Sequence, residues 1–327
     1  MTTRSSTNDG FRLPPTWQSF LRRNGPLLVV YALILVLIII GATNSERFLT
    51  ERNMGNVSRQ SAYIGVVAIG QMLVILTGGI DLSLGSLVKL SVLVSAILMD
   101  GNPENVPMAI TLTLGVGLLI GFIHAFLINE LNIAPFIVTL ASYIILRGIA
   151  LTISTTPVGK ASRGFLLMYD KKIGPVPVIT IFFAILLIVF IFILRRTRFG
   201  KYIYAIGGNL EVAHLSGVPV KMVRYGAYML CSLLASVTGL LWLMRMGVGD
   251  PVIGDGLELR AITAVIIGGT SLFGGRGTVI GTLGGVLLLG ISANLLVMLG
   301  VNQFIQGFIQ GVIIVCAVAL YKQDDRK

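Results

Sequence analysis

Ionisable side chains within apolar sequence are the groups of this chain whose chemistry most needs a reason, because a charge in hydrocarbon is costly and is kept where it serves a function. Asp81, Lys89, His124 and Arg147 fall inside such sequence, and Glu258 and Arg260 stand at the edge of another apolar run. The set is too thin for a proton or ion relay. Asp81 follows a glycine-rich break, where it either caps a helix starting at Leu82 or touches a solute. Lys89 is placed either to snorkel or to face an aqueous cavity, and Arg147 to hold loop carbonyls. Neutral polar groups at Gln71, Thr139, Ser142, Ser292 and Asn294 suit either of two roles: lining a path for a hydroxyl-rich solute, or hydrogen bonding between helices.

Several chemistries are poorly supported. Gly159-Lys160 and Gly200-Lys201 lack both the preceding glycine spacing and the following Ser/Thr of a phosphate-binding loop, so ATP hydrolysis by this chain is not expected. With only His124 and His214, and no Cys/His cluster, no catalytic or metal-ligating residue is assigned. Cys231 and Cys316 both lie in apolar runs and read as small hydrophobes.

The elements that must position these groups are membrane helices. Of 327 residues, 55% are hydrophobic and 12% charged, and the mean hydropathy is +0.89. Apolar runs near 20 residues, long enough to cross about 30 Å of hydrocarbon, recur between short polar breaks. The expectation is an all-α polytopic membrane protein with about ten spans, near 26–43, 61–78, 84–100, 107–128, 135–154, 176–194, 225–244, 257–273, 278–299 and 303–321. No run shows the alternation of a barrel strand. The formal charge of +11 sits at span ends, which argues against nucleic acid. Arg4, Arg12, Arg22 and Arg23 precede the first span, and Arg195, Arg196, Arg198, Lys201, Lys221 and Arg224 share one loop, so both regions and both termini are expected to be cytoplasmic. Acidic stretches at 100–106 and 245–260 then fall outside, as does a basic segment around Lys160, Arg163, Lys171 and Lys172 that fits the rule poorly. The first apolar run has no clear cleavage site after it and reads as an uncleaved anchor.

The loop 195–224 holds a short helix. Asn209 is a good N-cap, Glu211 lies in the first turn where the helix dipole favours negative charge, and Gly217 followed by Pro219 ends it. Two turns are marginal alone, so this helix either docks against something or belongs to an ordinary loop. Glycine-rich passages at 76–86, with Gly78 and Gly79, and at 267–285, with Gly268, Gly269, Gly274 and Gly275, interrupt apolar sequence. They suit either close helix packing or a backbone break. Their weak likeness suggests an inverted repeat of spans two to five and seven to ten, in a register the glycine pairs leave open.

GQMLVILTGGIDLSLGS from Gly70, APFIVTLASYIILRG from Ala134, TRFGKYIYAIGGNLEVAHLSGV from Thr197 and ELRAITAVIIGGTSLFGGRGTVIGTLGG from Glu258 together resemble the permease subunit of ATP-binding-cassette importers of the ribose/simple-sugar type. The resemblance runs from about residue 27 to near the end. It implies half of a translocation pathway for a monosaccharide or similar polyol in a bacterial inner membrane. It implies as partners a second permease copy, a cytoplasmic ATPase carrying the ATP and Mg, and a periplasmic sugar-binding protein, with no cofactor on this chain. Residues 1–25 and 322–327 become cytoplasmic tails around a single permease domain, 26–321. The run from Asn209 through Glu211, Val212, Ala213, His214 and Leu215 to Gly217 becomes the coupling helix, since E-V-A-x-x-x-G is similar to the importers' E-A-A-x-x-x-G, departing at Val212. Lys89, His124 and Arg260 also depart from the family pattern and leave the sugar open. An ion-coupled secondary transporter is the alternative, and a passive facilitator a third reading.

Overall fold

The computed structural model describes residues 15–302, 305–309 and 311–312. Most of the tenth expected span, Cys316 and the C-terminal tail lie outside the described residues, as does most of the N-terminal tail. Helices α1 (Pro15–Asn44), α2 (Glu51–Leu76) and α3 (Leu84–Met99) are followed by a 3-10 turn and by α4 (Val106–Asn129) and α5 (Pro135–Ile153). A short α6 (Arg163–Asp170) and a two-stranded hairpin of β1 (Lys172–Ile173) and β2 (Val176–Pro177) lead into α7 (Val178–Arg196). Then come α8 (Arg198–Gly208), α9 (Leu210–Leu215), α10 (Val220–Met246), α11 (Leu257–Ile267) and α12 (Val279–Met298).

Seven described helices are long and apolar enough to cross a membrane, and the burial of their most apolar windows sorts them into two groups. In α2 that window is 89% buried, against 22% in α5 and 17% in α1, so α2 is a central post and the others face outward. Helix α10 and, less completely, α12 share the centre. Small residues let these axes approach. Gly121 lies against the backbone of Tyr228 and Met229, Gly117 against Ser232 and Ser236, and Gly70 against Cys231, so α4, α10 and α2 pack as a seam with no room for a side chain. Polar links cross the same seams. Asn53 and Asn294 exchange both amide hydrogen bonds, at 3.0 and 2.9 Å, between α2 and α12. Ser91 of α3 donates to Ser236 of α10 at 3.1 Å.

Two expectations are corrected. The eighth span, 257–273, is a half-helix: α11 has 11 residues and stops at Gly268, where Gly269 at φ +92° turns the chain. At 1.5 Å per residue it covers about 16 Å, half a bilayer. The stretch 245–260, expected outside, also behaves otherwise. Gly247 ends α10 at φ +76°, Gly249 pairs with Val158, and the chain then runs along α3, Gly249 meeting Leu93 and Ala96 and Gly254 meeting Gly85. The stretch therefore re-enters the body of the protein, and glycines at 254 and 256 with positive φ make the tight path possible. Helix α3, 16 residues long, is likewise shorter than a full span and begins after an irregular segment, 77–83.

The reciprocal amide pair supplies the first prediction. A double-mutant cycle with Asn53→Ala and Asn294→Ala, read by thermal unfolding in detergent, is expected to give a coupling energy of about 0.6 to 1.7 kcal/mol, the range for hydrogen bonds between membrane helices. Strict additivity of the two single changes would show that the pair does not tie α2 to α12.

Candidate functional site

The loop 195–224 folds as α8, α9 and the start of α10. The Thr197 side chain caps α8, accepting from Gly200 N at 3.3 Å. Gly200, Ile203 and Ile206 turn inward, while Arg195, Arg196, Arg198 and Lys201 stay exposed. The Tyr204 hydroxyl donates to Gly277 O at 2.9 Å. Burial pushes its pKa up, which keeps it a donor. Asn209 closes α8 and opens α9, its side chain accepting from Val212 N at 3.0 Å. At the other end Gly217 N donates to His214 O and Val218 N to Ala213 O, with Gly217 at φ +76°, a Schellman-type stop. Lys221 pairs with Glu130 at 2.6 Å and its carbonyl accepts from Asn129 Nδ2, which ties the start of α10 to the end of α4.

Six residues do not make a stable helix in water. Helix α9 is held by its caps and by Ala213, which faces inward. The rest points away. Leu215 is 82% exposed and Met222 74%, with Leu210 and Val212 also exposed and Glu211 and His214 at the rim. Exposed apolar side chains rimmed by charge form the kind of patch that interaction surfaces have.

Behind α9 lies a junction of glycines. A Cβ on Gly207 would strike Leu76 O and Gly275 N, the two atoms joined by a 3.1 Å hydrogen bond. The end of α8 therefore rests on the point where the two glycine-rich passages meet. Gly274 and Gly275 sit there at φ +89° and +71° and Gly78 at +82°. Gly79 lies under the Tyr228 hydroxyl, and Gly268 against Gly281 O of α12.

The residues expected to line a path mostly serve the break at 77–83. Gln71, oriented by its neighbours, donates its amide to Asp81 O at 3.1 Å and accepts from Asp81 N at 3.3 Å. Thr139 donates to Ile80 O at 3.0 Å. Asp81 Oδ1 accepts from the backbone and the hydroxyl of Ser83 at 2.8 and 2.6 Å, which fixes the turn into α3; the helix itself begins at Leu84 with Ser83 as its N-cap, not at Leu82 with Asp81 as its cap. Asp81 Oδ2 lies 3.5 Å from His124 Nδ1, and His124 Nε2 lies 2.8 Å from Ser142 Oγ. That Ser–His–Asp order invites comparison with a nucleophile and its base. Asp81 and His124 are both fully buried, however, and a nucleophile needs a substrate beside it, so in this arrangement the three bind elements together. Gln71 and Thr139 are also without exposure. Ser292 donates to Leu289 O on its own helix, and Asn294 is held by Asn53. Arg147 is exposed, 3.4 Å from the Tyr143 hydroxyl, and holds no loop carbonyl among the described contacts. Lys89, 2% exposed, pairs with Asp255 at 2.8 Å.

Sequence reasoning missed Gly207, Met222 and Asp255 as parts of these constellations. The capping pattern of α9 pointed to the patch, but only a three-dimensional contact could pair Gly207 with Leu76. Gly207→Ala is expected to cost about 1–3 kcal/mol by overpacking backbone that cannot yield. Gly208→Ala, where a Cβ meets nothing within 4 Å, is expected to stay within about 0.5 kcal/mol of the parent. Thermal midpoints of the two purified variants check the contrast, and equal midpoints would remove the junction.

With this geometry in place, comparison with known proteins is informative. Residues 53–318 match a family model described as the branched-chain amino acid transport system / permease component. The chain is 39% identical over 297 residues to the ribose import permease protein RbsC of Escherichia coli (strain K12), covering 87% of this chain and 90% of that one. It is 37% identical to the ribose import permease protein RbsC of Bacillus subtilis (strain 168) over 94% of each chain. It is 33% identical to the D-allose transport system permease protein AlsC of Escherichia coli (strain K12), over 98% of this chain and 97% of that one. No solved structure matches. A polytopic helical body with a short capped helix on one face, matched end to end by such proteins, places the chain in the family of transport-system permease components.

Proposed function

We propose that this protein is the membrane-spanning half of an ATP-driven importer for a simple sugar or similar polyol in a bacterial inner membrane. The observation that carries the reading is α9: a helix too short to stand alone, capped at both ends, presenting Val212 and Leu215 outward and following directly on α8, whose end rests on the glycine junction. A cytoplasmic ATPase, holding ATP and Mg, is the partner that fits this patch. The exposed Arg195, Arg196, Arg198 and Lys201 around it support a cytoplasmic position for this face. A second copy of the chain completes the pathway, and a periplasmic binding protein delivers the solute on the opposite face. The sugar assignment is supported by the ribose and allose permeases that the chain resembles.

The mechanism follows from the contacts. A partner can shift a two-state equilibrium only by contacts that differ between the states. Movement of the ATPase bears on α9, and α9 is continuous with α10 and, through Asn209 and α8, with Gly207 at the junction of Leu76 and Gly275. Displacement there reaches both the break at 77–83 and the turn after α11. Gln71, Asp81, Thr139, His124 and Ser142 keep the first of these rigid, so it moves as a block rather than melting.

Two measurements test the reading. Val212→Asp with Leu215→Asp places charges on exposed positions, where a folded chain tolerates them within about 0.5 kcal/mol. Loss of ATPase co-purification and of uptake, with an unchanged thermal midpoint, is expected, whereas full uptake by the double variant would overturn the coupling role. In liposomes holding permease, ATPase and binding protein, ribose or allose uptake is expected to require ATP. Uptake by this chain alone under a proton or sodium gradient would replace the importer with a secondary transporter.

A further inference from the structure

Helix α5 meets the rest of the chain along a narrow stripe and leaves most of its circumference exposed. Val138, Thr139, Leu146 and Ala150 are its buried residues. Thr139 serves Ile80 O, Ser142 lies on His124 Nε2, and the Tyr143 carbonyl accepts from the Ser86 hydroxyl of α3 at 2.9 Å. The inner stripe is thus bound to the break at 77–83, to α3 and to α4. The 19 residues from Pro135 to Ile153 cover about 28 Å, close to the thickness of bilayer hydrocarbon, and Tyr143 and Ile144 stand at the middle.

On the exposed side, beside Leu140 and Ile144, stands Arg147. An arginine in a membrane helix ordinarily uses its long stem to reach the nearer surface. The nearer end of α5 is Ile153, about 9 Å away along the axis. Arg147 turns the other way. Its Nη1 donates to the Tyr143 hydroxyl at 3.4 Å, one turn toward the N-terminus, so the guanidinium is aimed at the middle of the helix. No carboxylate pairs with it among the described residues. A guanidinium at mid-depth is too costly to keep against hydrocarbon, so it faces protein or water. The other flank differs. Ile145 and Ile149, 58% and 45% exposed, lie about 160° from Arg147 around the helix and suit lipid.

We propose that the Arg147 flank of α5 is one wall of the aqueous solute path, and that the same flank of a second copy of this chain is the opposite wall. Twofold symmetry sets the two Arg147 side chains toward each other. Like charges in contact repel, so the flanks close around a gap at mid-depth instead of packing there. The gap is rich in donors, two guanidiniums and two phenol hydroxyls, and the hydroxyl oxygens of a neutral polyol accept from them. Its positive charge holds small cations back while such a solute passes. Because Thr139, Ser142 and Tyr143 are fixed to the break at 77–83, to α4 and to α3, a displacement of that block carries the wall with it.

The inference rests on the importer reading, and the test separates the two. In liposomes containing permease, ATPase and binding protein, labelling by membrane-impermeant methanethiosulfonates is followed beside ATP-driven ribose uptake. The variants are Leu140→Cys and Ile144→Cys on the Arg147 flank and Ile145→Cys and Ile149→Cys on the other, each read above the labelling of the unaltered chain. All four positions are exposed, so the fold is kept. The first pair is expected to label about tenfold or more faster than the second. A bifunctional reagent is expected to join two Ile144→Cys chains into a covalent dimer and to leave Ile145→Cys chains single. Adding Arg147→Gln to Ile144→Cys is expected to shift the preference from an anionic toward a cationic reagent about tenfold. Equal labelling of the two flanks, or a preference that Arg147→Gln leaves unchanged, would overturn the wall, and the absence of an Ile144→Cys dimer would overturn the place given to the second copy. If ATP drives uptake while the flanks label alike, this inference alone fails. If the flanks differ as expected in a complex that takes up no sugar with ATP, the importer reading fails and the aqueous wall stands.

Discussion

Irregular backbone inside a bilayer must find every hydrogen-bond partner within the protein, and this requirement organises the molecule. Water does not reach the hydrocarbon, and each unsatisfied amide there costs several kcal/mol. The chain breaks its helices at 77–83, at 247–256 and after Gly268, and each break has a dedicated solution. Gln71 and Thr139 serve the backbone of Ile80 and Asp81. Val158 exchanges both backbone bonds with Gly249. Leu76 O takes the Gly275 amide. The buried polar residues are therefore best understood as the cost of having breaks at all, and the breaks as what distinguishes this bundle from a stack of plain spanning helices.

Much of this was legible in sequence. Run length located α1, α2, α4, α5, α7, α10 and α12 because hydropathy depends on composition within a window of about 20 residues, and these helices satisfy it. The ends of α9 were legible because caps are local: Asn209, Glu211 and Gly217 act within a few residues of one another. Asp81 was expected to cap a helix starting at Leu82; the helix starts two residues later, with Ser83 as its N-cap, and Asp81 instead holds Ser83 from the segment before it.

What was hidden depends on contacts between distant residues or on backbone geometry. The half-helix α11 was hidden because Leu272 and Phe273 carry the apolar run past the turn, and the turn itself is set by backbone geometry at Gly268 and Gly269. The re-entry of 247–256 was hidden because Asp250, Asp255 and Glu258 look like a solvent loop when counted as charges, and only the close approach of Gly254 to Gly85 shows that they descend. The joining of Asp81, His124 and Ser142 needed three separate elements to be placed side by side. His124, read as a departure from the family pattern, turned out to occupy the centre of that link.

Helix α10 has a mechanical consequence. It is 27 residues long, about 40 Å at 1.5 Å per residue, and it is pinned near its first half by the glycine seam to α4 at Gly121. One end continues from α9 and the other passes through Gly247 into the re-entrant stretch. It is thus a first-class lever with its fulcrum inside the membrane. A tilt of about 5° about that point moves the far end, about 26 Å away, by about 2 Å. A rigid bar set this way turns a small push at one surface into a wider stroke at the other, in the opposite direction.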